Sequence, residues 1–179
     1  VRSTYTATGK FRQIFFAGGA TLPSGDNAGT NEGALVAKDE FQIGGSSRPI
    51  YVVRYTSYTE RFAYWEQDMD ENLDPNKDVN LYIEFYSAVA SSNVLFNVYV
   101  ATMQNPSTST WAKYTTSPTD VPATAYNIGI ATITWSSNSA GFVAGWSYGI
   151  GLSREDDPVD ALDNVNIIKV RLNGWKREN

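Results

Sequence analysis

The chain has 179 residues, 42% apolar and 18% charged, which is one domain of ordinary size, long enough for a real core and too apolar for disorder. Its net charge of −5 argues against nucleic acid as a partner, and no run of about 18 apolar residues is present to form a membrane-spanning helix. His and Cys are both absent, which removes the commonest general base, thiol nucleophiles, Cys-ligated metals and the histidine-dependent triads together.

Residues 1 to about 47 are rich in Gly, Ala, Ser, Thr and Asn and read as an irregular N-terminal arm. Within it only residues 10–17, with Phe11, Ile14, Phe15 and Phe16, read as a strand; Gly18-Gly19, residues 23–26 and Gly44-Gly45 are turn or loop signals. A domain is expected from residue 48 to 179. Residues 50–58 are β-branched and aromatic, and 60–66 carry Phe62, Tyr64 and Trp65. Val79, Leu81, Ile83 and Phe85 alternate with polar or mixed residues, the period-2 mark of a strand with one buried face. Val94, Phe96, Val98 and Val100 repeat it. Residues 104–125 predict a long Ser/Thr/Pro-rich loop with a short strand at 111–115, followed by strands at 126–135, 142–152 and 165–172. Almost nothing carries a helical period. The fold expected is an all-β antiparallel β-sandwich, a jelly roll by its alternation of long and short connections.

Strand 142–152 is the most informative. It sets Phe142, Ala144, Trp146, Tyr148, Ile150 and Leu152 on one face and Gly145, Gly149 and Gly151 on a nearly bare other face. Interior strand glycine marks a bulge, room for large neighbouring aromatics, or the close approach of a ligand or another backbone. The cluster Phe11, Ile14, Phe15 and Phe16 must also find a partner, since burying each such side chain is worth about 1.5–3 kcal/mol. Two partners are open: its own sandwich, as an edge strand, or a neighbouring subunit or capsid shell, with the glycine face as the receiving surface.

From Arg48 to Trp175 the chain resembles a jelly-roll domain family of virion proteins from phage genomes and marine viral metagenomes. The blocks that carry the likeness are Arg48-Pro49-Ile50-Tyr51, Phe62-Ala63-Tyr64-Trp65, residues 79–85 followed by 91–96, residues 121–125 followed by 128–135, Ala140-Gly141 leading to 153–157, and Asp163-Asn164-Val165. The family's acidic turn, with a Pro-Asp-Tyr-like stretch, is here Asp74-Pro75-Asn76-Lys77-Asp78. The resemblance implies a virion protein made in the host cytoplasm. It would act as a capsid decoration, head-fibre or tail-associated component, and it brings no catalytic or ligand residues with it. A symmetric homo-oligomer, a trimer, in contact with other virion proteins is the expectation.

Asp68, Asp70, Asn72 and Asp74 alternate like the first ligands of a calcium loop, but Leu73 stands where the turn glycine belongs and Val79 where the bidentate Glu belongs. That excludes an EF-hand and leaves a solvated acidic turn or a looser calcium site, to which Asp156 and Asp157 of a second acidic loop would add if the loops met. No other cofactor is expected. Glu60, Glu66 and Glu84 lie near strands rich in Tyr and Trp, as glycosidase carboxylates could, but their spacing is not diagnostic and no enzyme is expected. Five Trp and eleven Tyr leave a glycan as the alternative partner, through a carbohydrate-binding or host-receptor-binding module in which exposed aromatics gather on one surface.

Overall fold

A computed structural model describes residues 9–21, 35–43, 46–56, 62–88, 92–103, 111–124, 126–154 and 164–177. Among them twelve strands follow in order: β1 (Lys10–Phe16), β2 (Leu35–Ile43), β3 (Ser46–Thr56), β4 (Phe62–Asp68), β5 (Val79–Tyr86), β6 (Asn93–Val94), β7 (Phe96–Met103), β8 (Ala112–Thr115), β9 (Thr119–Asp120), β10 (Gly129–Trp135), β11 (Ser147–Arg154) and β12 (Asn164–Trp175). The described helical residues are two short 3-10 turns, Ala17–Gly19 and Ser136–Asn138.

Two antiparallel sheets pack face to face. One runs β10-β5-β12-β3-β2, with β1 also on β12; the other runs β4-β11-β7-β8. From β3 to β4, β4 to β5, β5 to β7, β8 to β10, β10 to β11 and β11 to β12 the chain changes sheet each time. That wrapping makes the sandwich a jelly roll. The core is where the alternation points: Val79, Leu81, Ile83 and Phe85 of β5 meet Phe96, Val98 and Val100 of β7 and Tyr148, Ile150 and Leu152 of β11. The buried Tyr55 hydroxyl donates to Leu152 O at 2.8 Å, and burial pushes its ionisation far up, so it stays neutral.

The N-terminal strand belongs to the sandwich. β1 pairs with the second half of β12, Lys10 opposite Trp175 and Phe16 opposite Lys169, while the first half of β12 pairs with β3. Phe11 and Phe15 are buried in the core, Ile14 is half-buried, and Phe16 faces out. Of the two partners open for this cluster, the chain's own sandwich takes Phe11 and Phe15, because alternation along β1 turns them inward. The segment also ties the sheets together. Trp65 Nε1 donates to Phe16 O at 3.0 Å, Gln13 Nε2 to Asp68 O at 2.6 Å, and Thr21 exchanges two backbone hydrogen bonds with Tyr64. Residue 48, the expected start of the sandwich, lies inside β3, whose partner β2 precedes it.

The strand expected at 142–152 starts later, at Ser147. Ser137, Asn138, Gly141 and Gly145 all take positive φ, so this stretch turns instead of extending. Gly145 (φ 73°) is therefore in a turn, where its N–H donates to Met69 O at 3.2 Å, and it contributes nothing to the glycine face.

Candidate functional site

The outer face of the four-stranded sheet is a grid fixed by register. Along β11 it shows Ser147, Gly149, Gly151 and Ser153, the residues between the core-facing Tyr148, Ile150 and Leu152. Opposite them on β4 stand Asp68, Glu66, Tyr64 and Phe62, and on β7 Met103, Ala101, Tyr99 and Asn97. Beyond β7, Lys113 and Thr115 of β8 face Tyr99 and Asn97, and Trp111 precedes them on the same face.

Small side chains in the middle let large ones lie down from both sides. A Cβ at residue 149 would stand 2.7 Å from Trp111 Cη2 and 3.0 Å from Met103 Cε, so the indole reaches over Ala101 onto the bare backbone of Gly149. A Cβ at 151 would stand 3.2 Å from Tyr99 Cβ and 3.7 Å from Trp111 Cζ3. Phe62 and Tyr99, from the strands flanking β11, bring their ring centroids within 4.8 Å of each other. The result is a continuous aromatic platform of Trp111, Tyr99, Phe62 and Tyr64. Trp111 is 44% exposed and the other three are half-buried. Lys113 and Glu66 lie beside it.

The other candidates fall elsewhere. Of the five Trp, Trp65 and Trp135 are core, Trp146 and Trp175 are half-buried, and Trp111 presents the most surface. Asp70 pairs with Lys176 at 2.9 Å, and the Lys176 ammonium holds its carboxyl below the usual range; Asp74 Oδ1 accepts from Asn76 N–H at 3.0 Å, and Asp68 Oδ1 from Ser147 Oγ at 2.5 Å. These carboxylates serve separate local bonds, and among the described residues no group of three acidic, His or Cys side chains converges as a metal site would require. The other calcium candidates, Asp156 and Asp157, lie outside the described residues, as does Glu60. Glu66 and Glu84 sit on opposite sheets, and Glu84 is held by Lys169 at 3.0 Å, so they form no acid–base pair. Among the described residues the glycine face receives Trp111 and Tyr99, while the described strand of the N-terminal arm pairs with β12. Trp111 is visible in the sequence only as one Trp in a polar stretch; what selects it is its register with Gly149.

No protein-family model and no curated protein matches the chain. Among solved structures it is similar to the CBM22-1–GH10 modules of Clostridium thermocellum xylanase 10B complexed with xylohexaose: 13% identity over 93% of this chain and 27% of that one, TM-score 0.48. It is also similar to a CBM28 carbohydrate-binding module specific for non-crystalline cellulose, at 10% identity over 90% and 88% of the two chains, TM-score 0.42. A third likeness is to the structure of infectious bursal disease virus Gt strain, at 11% identity over 95% and 38%, TM-score 0.33.

Proposed function

We propose that this jelly roll is a carbohydrate-binding module that works by adhesion and not by catalysis, with the platform of the four-stranded sheet as its binding face. The observation that carries the reading is the exposed Trp111 indole laid on Gly149 and Gly151, on the same sheet face as the tilted Tyr99 and Phe62 rings. A sugar ring offers an apolar C–H face that stacks on such a surface, and its rim hydroxyls find Glu66 and Lys113 alongside. Packing on each other explains the half-buried Phe62 and Tyr99, but not an indole left nearly half in water beside the edge strand. The virion setting implied by the sequence blocks is compatible with this: a glycan of the host surface is what such a component would meet.

The test is a panel of neutral oligosaccharides titrated against intrinsic Trp fluorescence. At least one should bind, and Trp111→Ala should weaken it by about tenfold or more, equivalent to about 1.4 kcal/mol, with the fold intact by circular dichroism. Unchanged affinity in Trp111→Ala, or no binder in the panel, would overturn the reading.

A further inference from the structure

The opposite sheet gathers charge that the sequence scatters. Lys10 and Arg12 of β1, Lys169 and Arg171 of β12, and Lys176 and Arg177 just beyond it are six of the chain's fourteen Lys and Arg, and residues 9–21 and 164–177 contain no Asp or Glu. Alternation with the buried Phe11, Val170 and Leu172 places Lys10, Arg12, Lys169 and Arg171 on the outer face, where Lys10 stands opposite Trp175 and Arg12 opposite Asn173. Only part of this charge is neutralised. Lys169 and Arg171 share Glu84, at 3.0 and 3.9 Å, and Lys176 holds Asp70. Lys10, Arg12, Lys77 and Arg177 are exposed and have no carboxylate partner among the described residues.

The ribbon runs into a groove of about 710 Å³ lined by Asp74, Asn76, Lys77, Asp78, Trp175, Lys176 and Arg177. Its walls are fixed: Asp74 N–H donates to Trp175 O at 2.8 Å, Arg177 N–H to Asn72 O at 2.7 Å, and Lys10 Nζ sits 4.5 Å from the centre of the Trp175 ring. Asp74 and Asp78 each accept a backbone N–H, from Asn76 at 3.0 Å and Ser137 at 2.9 Å.

We propose that this groove and ribbon form a second binding site, for an acidic saccharide carrying carboxylate or sulfate groups spaced along its rings. Lys77 and Arg177 meet the anionic groups, joined by Lys10 over the Trp175 ring, and Asp74 and Asp78 accept ring hydroxyls. The same two carboxylates disfavour nucleic acid, whose single strands place a charge about every 3.4 Å and carry no comparable supply of hydroxyl donors.

The experiment uses the full chain and isothermal titration with oligogalacturonate, dextran sulfate, unsulfated dextran and single-stranded DNA of matched length, at about 50 and about 300 mM salt. Oligogalacturonate or dextran sulfate should bind at low salt and weaken steeply at high salt. Lys77→Gln with Arg177→Gln should weaken that binding by about tenfold or more and flatten its salt dependence, and Trp111→Ala should leave it unchanged. Equal binding of unsulfated dextran, DNA binding as tight as either acidic polymer, no binding at low salt, or an unaffected double variant would each overturn the proposal. The dextran comparison is made in the Trp111→Ala variant, which removes the neutral platform as an alternative site, so that these outcomes and those for the platform stay distinguishable.

Discussion

Two glycines show how one missing Cβ serves opposite ends. Gly149 keeps the surface bare so that Trp111 can lie on it; Gly174 keeps the core side of β12 bare so that the Phe11 ring can lie there. A Cβ at 149 meets an edge-strand indole that has solvent to move into, whereas a Cβ at 174 falls against the ring of a buried Phe that has nowhere to go. Gly149→Ala should therefore cost little stability, within about 1 kcal/mol, while displacing the indole and reducing neutral-glycan affinity. Gly174→Ala should destabilise by about 1–3 kcal/mol through overpacking and leave the platform alone. Urea denaturation of the two variants checks the contrast; equal losses would show that Trp111 is packed as rigidly as Phe11.

At the scale of elements, the turn between β4 and β5 is joined to the end of β12 by Asp70–Lys176 and by the Leu73–Lys176 bridge. The Asp70 carboxyl lies below its ordinary value of 3.8, chiefly through its hydrogen bond with Lys176. A depressed folded-state pKa contributes stability that is present above 3.8 and lost as pH falls through the lower folded value. Asp70→Asn should thus be less stable than the parent at neutral pH, and the difference should close as pH drops below 3.8 in thermal melts. A pH-independent gap would mean the loss is one of packing. Strands with one buried face were legible for a physical reason: the core-cluster residues Val79, Leu81, Ile83 and Phe85 of β5 and Phe96, Val98 and Val100 of β7 fall at every second position. β2 was not, because Lys38, Asp39 and Glu40 interrupt its apolar residues. The start of β11 was misplaced because Phe142 to Trp146 alternates like a strand while Gly141 and Gly145 bend it out of line. Nor is either candidate site readable in order along the chain: Trp111 meets Gly149 only through β7, and Lys10 meets Trp175 only through the β1–β12 pairing.

For the whole molecule, the two candidate faces lie on the outer sides of opposite sheets with the core between them. A sandwich core is close-packed and passes on a surface contact only if it has a second arrangement available, and nothing in the alternating Val, Ile, Leu and Phe layers provides one. Saturating the platform with a neutral oligosaccharide should leave the affinity for an acidic one unchanged within about twofold, as one titration run in the presence of the other ligand would show. Competition would place both ligands on one face.

The antiparallel pairing of β1 with the second half of β12 also has a mechanical consequence. Lys176 N–H donates to Gly9 O at 2.8 Å, so residues 9 and 177 lie side by side at one end of the pair. A pull that separates those two points loads the rungs of the β1–β12 ladder one after another, as a zipper opens, and not all at once as in shear. The far side of this end of β12 is pinned to the turn by the bonds from Asp74 and Arg177, so β1 is the side that peels. Phe11, nearest that end, would leave the core before Phe15. The sheet bearing Trp111 would keep its shape until the peel reached Gln13, which donates to Asp68 O and accepts from the Tyr148 hydroxyl, and then the Phe16 and Thr21 contacts with Trp65 and Tyr64. A module held by these two points would thus yield at its tether before it loosened its grip.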